Sequence, residues 1–260
     1  MRPLIMVDRL DESVILDDIL KYDEFKSFYH NEWGTRKERG TIIDWEIDPT
    51  CSQYAIQGFS TGNNNTYIRF RHLPSTLNDA FLAAHEMGHI IKYLDKQYIQ
   101  FDKAKTPIAQ IYKEEELIDM GAKLGSMLDD PLIDSFLQDN YGFDPAYFYT
   151  RVVIPDVSKS LNSYGDSPYE WHIFKEALFY SQFSLQCDAV KDVDALRECY
   201  QLKEQYRISR PKVARIGEEL YSMSKENGYD DLIKQRRLFK EIFNKYRIKS
   251  IKLSDILRII

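Results

Sequence analysis

The chain has 260 residues, 43% of them hydrophobic and 29% charged, enough to bury a substantial core in one large domain or a domain plus a lobe. Its net charge of −6 is spread along the sequence without a basic block, which argues against a nucleic-acid or anionic-membrane surface. No run approaches the roughly 18 apolar residues of a membrane span, and three scattered cysteines without a CxxC pair suit a reducing compartment; the expected location is cytoplasmic.

The N-terminal "MRPLIMVDRLDES" turns acidic where a signal peptide would carry its apolar stretch. Residues 8–33 have helical spacing and many aromatics, and "NEWGTRKERG" (31–40) reads as a polar loop, with a mobile lid as the alternative. Three β-prone runs follow at 41–47, 54–59 and 66–73, the last two separated by the turn-forming "STGNNN" (60–65), which predicts a hairpin. Pro74 ends the third run. Ser75 or Thr76 then caps a helix expected to reach about Lys96, with Asp79 near its positive end.

Further on, Thr106 and Pro107 have the signature of a cap and first helical residue, predicting a helix to about Leu128 that stops before "DDP" (129–131). "YGFDP" (141–145) is turn-like. From "SPYE" (167–170), which has the form of a capping box, the chain reads as helix almost to its end, broken at Pro211 and Gly228. The basic C-terminal segment "RLFKEIFNKYRIKSIKLSDILR" has the spacing of a solvated helical face. The fold class is α+β and helix-dominated: a small antiparallel sheet before the 76–96 helix, then a largely helical C-terminal half. The boundary falls near 145, dividing 1–145 from 146–260, unless the two run on as one domain.

The chemistry concentrates in "AAHEMGHI" (83–90). Residues i and i+4 share one helical face, so His85 and His89 can offer two imidazoles to one ion, with Glu86 beside that face. Zinc accepts neutral imidazoles, and its charge lowers the pKa of a water enough for an adjacent carboxylate to take the proton. The bland alternative is two histidines in a core helix. Against it, the flanking Phe81–Ala84 and Ile90–Leu94 are mostly apolar, and two histidines in such a helix need a reason. Gly88, a poor helix former, hints that another segment passes close.

Two histidines need a third ligand, and "IIKYLDKQYI" after His89 lacks the histidine of the extended HExxHxxGxxH pattern. Here "FLAAHEMGHII", preceded by a β-prone run, resembles the ImmA/IrrE-type metallopeptidases and, more broadly, HExxH zincins with a glutamate ligand. In those families the third-ligand helix carries a Glu followed four residues later by Asn or Asp. Glu115 and Asp119 match that spacing, with Gly121 and Ala122 where small residues are common. "YGFDP" is similar to a "GYDP"-like stretch in peptidases related to the CAAX prenyl protease. The resemblance covers about residues 66–128 and implies a zincin-like core, a Zn2+ ion, and hydrolysis of a peptide or protein substrate.

The helical wheel also favours Glu115, because Ile108, Ile111, Ile118 and Ala122 fall within about 60° of it. Asp119 would accept the outer N–H of a zinc-bound histidine. Glu114, at the edge of a second apolar face, is the reserve ligand. Asp130 is a weaker candidate, because a helix-ending turn explains "DDP" more simply. The expected site is therefore His85, His89 and Glu115 on the metal with Glu86 as general base, and strand 66–72 as an edge for an extended peptide. His172, Tyr164 and Tyr169 are candidate oxyanion donors, for which packing is the simpler role. The rivals are a non-enzymatic interaction protein on a metal-stabilised scaffold, which has no use for Glu86, and hydrolysis of a non-peptide amide.

Overall fold

The computed structural model describes residues 8–51, 54–59, 66–161 and 165–260. The start of the N-terminal stretch (1–7), the "STGNNN" turn and Tyr164 lie outside the described residues. Helix dominates, and the chain gathers into two units: Met1–Lys96 with Phe136–Pro145, and Gln97–Ser135 with Ala146–Ile260.

In the first unit, β1 (Asp8–Leu10) leads into α1 (Glu12–Leu16) and α2 (Asp23–Phe28). Residues 31–38 are helical instead of a loop, with a turn at 39–40: a π turn at Tyr29–Trp33 runs into α3 (Gly34–Glu38). Trp33 is buried there, and Arg36 pairs with Asp95 at 2.6 Å, which holds the segment down. The strands β2 (Ile43–Ile47), β3 (Ala55–Phe59) and β4 (Thr66–Phe70) fall where β-prone side chains predict them, followed by α4 (Leu77–Leu94).

The sheet order β1-β2-β4-β3 corrects two expectations. β3 and β4 form the antiparallel pair of the hairpin, but β2 runs parallel to β4, so the sheet is mixed rather than antiparallel. β4 is therefore central, paired on both sides, and cannot be the edge that receives a peptide. Side-chain pairs explain the register. Trp45 of β2 stacks on Phe70 of β4, with ring centroids 6.2 Å apart, on the buried face. On the other face Arg69 makes two bonds to the buried Glu46 carboxylate, at 2.9 and 2.7 Å. The segment Phe136–Pro145 joins this unit through Tyr141 on Phe28 and Phe143 on Phe81.

The second unit contains β5 (Phe101–Lys103) and a short 3-10 turn at Ile108–Ile111. Thr106 caps that turn, its Oγ1 accepting from Ala109 N at 3.1 Å, instead of a long helix. Helix α5 begins only at Glu114 and runs to Tyr141, straight through Pro131. The reason is packing: Leu117, Met120, Leu124, Met127, Leu128 and Leu137 recur at helical spacing, and all are buried. That burial outweighs the hydrogen bond Pro131 cannot donate, a loss of about 3 kcal/mol with the ring clash included.

After α6 (Pro145–Phe148) and α7 (Ile154–Ser160) come four longer helices: α8 (Glu170–Cys187), α9 (Val193–Ser209), α10 (Pro211–Asn227) and α11 (Leu232–Lys245). The breaks at Pro211 and Gly228 are as predicted. "SPYE" is not a capping box, since Ser167 Oγ accepts from Tyr169 N at 3.2 Å and α8 starts at Glu170. The chain also ends in strands rather than helix: β6 (Arg247–Ile248), β7 (Ile251–Lys252) and β8 (Leu257–Ile259), with β8 antiparallel to β5.

α8 and α10 approach closely at Gly217. A Cβ there would lie 2.5 Å from Tyr180 Cδ1 and 2.9 Å from Tyr180 Cβ. Tyr180 is fully buried, and its hydroxyl is bonded to Glu218, so the ring cannot step aside. Gly217→Ala should therefore destabilise the protein by about 1–3 kcal/mol, although alanine alone favours a helix by about 1 kcal/mol. A thermal melt showing an unchanged or raised Tm would contradict this packing account.

Candidate metal centre

α4 is set by its first turn. Thr76 is the N-cap, accepting from Asp79 N, and Asp79 answers by accepting from the Thr76 backbone N–H at 2.9 Å. The Asp79 carboxylate also accepts from Ser75 N at 3.0 Å and lies 3.1 Å from His72 Nε2, which fixes where the helix begins. His72 is thereby committed to the cap. Beyond this turn the helix is enclosed, with Ala80 to His85, Met87, Gly88 and Ile90 all buried. Glu86 and His89 are half-buried, so the HExxH segment lies where the buried side of the helix meets a more open one.

The i, i+4 spacing does what the sequence predicts. His85 Nε2 and His89 Nε2 are 3.2 Å apart, their ring centroids separated by 4.9 Å. Two imidazoles bound tetrahedrally at the usual Zn–N length would place their nitrogens about 3.3 Å apart. The distance equally suits an N–H···N bond between two neutral rings, so the pair alone does not decide. Two neutral imidazoles on one helical face are donors that zinc accepts, and the pair present fits such an ion.

Glu115 is exposed in the first turn of α5, as are Glu114 and Glu116. The apolar stripe that favoured it is itself exposed, Ile111 by 72% and Ile118 by 65%, so no burial cost falls on the Glu115 carboxylate. Asp119 pairs with Lys175 Nζ at 2.6 Å. Tyr169 and His172 pack edge to face at the exposed start of α8.

Sequence reasoning passed over two polar pairs on the α5–α8 interface. Gln182 Nε2 donates to Asp130 Oδ2 at 2.7 Å, and one turn on Gln186 Nε2 donates to Asp134 Oδ2 at 2.6 Å. The Tyr149 hydroxyl also donates to Asp134. Burial, with the Asp134 carboxylate adding to it, pushes the Tyr149 phenol well above its ordinary range, so it stays a donor. The missed signal was the uninterrupted i, i+3, i+4 run of apolar residues through Pro131, which keeps 130 and 134 on a helix.

No family model, curated protein or solved structure matches the chain. Among the described residues no helix is long and apolar enough to cross a membrane.

Proposed function

We propose that the protein is a zinc-dependent hydrolase of the HExxH type, acting on peptide bonds, with His85 and His89 supplying imidazoles to the ion and a carboxylate of the chain completing its ligands. The observation that carries the reading is the pair of imidazole nitrogens, His85 Nε2 and His89 Nε2, held 3.2 Å apart on one helical face beside a half-buried Glu86. The resemblance of "FLAAHEMGHII" to HExxH zincins points the same way, and a zincin-like core remains part of the proposal.

Zinc bound there would supply Lewis acidity and lower the pKa of a water toward about 7. Glu86 is the base in this reading: it follows His85 directly on α4 and is half-buried beside the histidine pair. It accepts a proton from the attacking water as the C–O bond forms, then returns it to the amine nitrogen as the C–N bond breaks. His85 and His89 must be neutral to act as ligands, so metal loading should fall in acid.

The test is elemental analysis of the purified protein after incubation with zinc, paired with a broad peptide-cleavage screen. About one equivalent of zinc per chain is expected. Finding no bound transition metal under those conditions would overturn the reading.

A further inference from the structure

Helix α9 buries one side within its own unit, through Ala195, Cys199, Leu202, Tyr206 and Ser209. The opposite side carries an exposed stripe. Val193, Arg197, Tyr200, Glu204 and Ile208 fall within about 40° of one line along the helix at 100° per residue. All five are exposed, and the apolar ones strongly so: Val193 by 70%, Tyr200 by 60% and Ile208 by 65%. A shallow groove lined by Val193, Leu196, Tyr200 and Lys203 runs beside them. We propose that this stripe is a self-association surface, on which α9 of a second copy of the chain packs antiparallel.

The order of the side chains selects the partner. Arg197 and Glu204 are equidistant from the midpoint between Tyr200 and Gln201, and so are Val193 and Ile208. A two-fold axis through that midpoint sets Arg197 of each copy against Glu204 of the other, and Val193 against Ile208 at both ends. The two Tyr200 rings meet beside the axis. A parallel copy would instead set Arg197 against Arg197 and Glu204 against Glu204. A partner of a single charge sign would meet a like charge at one of the two positions. The stripe is complementary to its own reverse.

Surface pairs hold these charges in the single chain, and they exchange easily. Arg197 pairs with Asp194 at 2.9 Å and Glu204 with Arg207 at 2.9 Å, both pairs exposed and one turn apart on the same helix. When Glu204 turns to a second copy, Arg207 keeps Glu218, at 2.7 Å. The seam is one helix wide and about 23 Å long. It therefore buries less than the roughly 800 Å² per partner of a standard interface, and the dimer is weak and dependent on concentration.

Sedimentation equilibrium of the full chain up to about 1 mM, at low and high salt, tests the proposal, with Arg197→Glu and Glu204→Arg each measured alone and then mixed. The unsubstituted chain should dimerise, more weakly in high salt, because the ion pairs are open to screening. Each variant places like charges at both symmetry-related contacts and should weaken its own association at least about tenfold. Mixed in equal amounts the two should associate again, because each supplies the charge that the other lacks. Both positions are exposed, so the thermal melts of the variants should stay close to that of the unsubstituted chain. An unsubstituted chain that remains monomeric throughout would overturn the proposal and leave the face to a different protein. A dimer indifferent to both substitutions would overturn it too, as would two weakened variants that fail to recover on mixing.

Discussion

Replacing Glu86 by Gln should leave zinc bound and lower peptide hydrolysis by roughly 10²–10⁴-fold, the range over which a positioned base contributes. The amide keeps the shape of the carboxylate, so the helix and both imidazoles are undisturbed. What disappears is the acceptor for the proton of the attacking water, and with it the group that returns that proton to the leaving amine. Zinc content by elemental analysis and the rate on the best peptide from the screen separate the two effects. A Glu86→Gln chain that hydrolyses at the wild-type rate would remove Glu86 from the chemistry. One that loses its metal would make Glu86 a ligand rather than the base.

His89→Ala should weaken zinc binding by more than the roughly hundredfold typical of residues that merely support a ligand. One imidazole of the pair is lost, and with it the 3.2 Å spacing of nitrogens that suits a shared ion. Chelator competition on the variant measures this directly. Unchanged affinity in His89→Ala would remove the pair from the metal reading.

How much of this was legible in the sequence depends on which forces act locally. The HExxH helix was legible because its cap and its apolar run lie within a few residues of one another. Thr76 and Asp79 fix its start, and the i, i+4 histidines follow from helix geometry alone. The length of α5 was not, because Pro131 carries a strong local preference for ending a helix. Only the burial of Leu124, Met127, Leu128 and Leu137 overrides that preference, and burial is a property of the folded chain. The stripe around Glu115 has the opposite character. Isoleucines at helical spacing show which residues share a face, not whether that face is covered, and Ile111 and Ile118 stay in solvent. In the sheet, the alternation of Ile43, Trp45 and Ile47 assigns faces but carries no information about neighbours. Hence the strands were found and the parallel partner of β4 was not.

That parallel pairing also bears on the order in which the sheet assembles. In the β3–β4 pair, Phe59 meets Thr66, seven residues on, so the first contact closes a short loop. In the β2–β4 pair, Ile43 meets the same Thr66, and β3 lies in the intervening chain. Scaling with the logarithm of loop length, the second closure costs about 1 kcal/mol more than the first. A preformed β3–β4 ribbon also offers β2 a ready row of backbone partners, which an isolated β4 does not. The hairpin is thus the cheaper of the two pairings to close, and β2, with β1 on its outer edge, completes the sheet at the larger entropic cost.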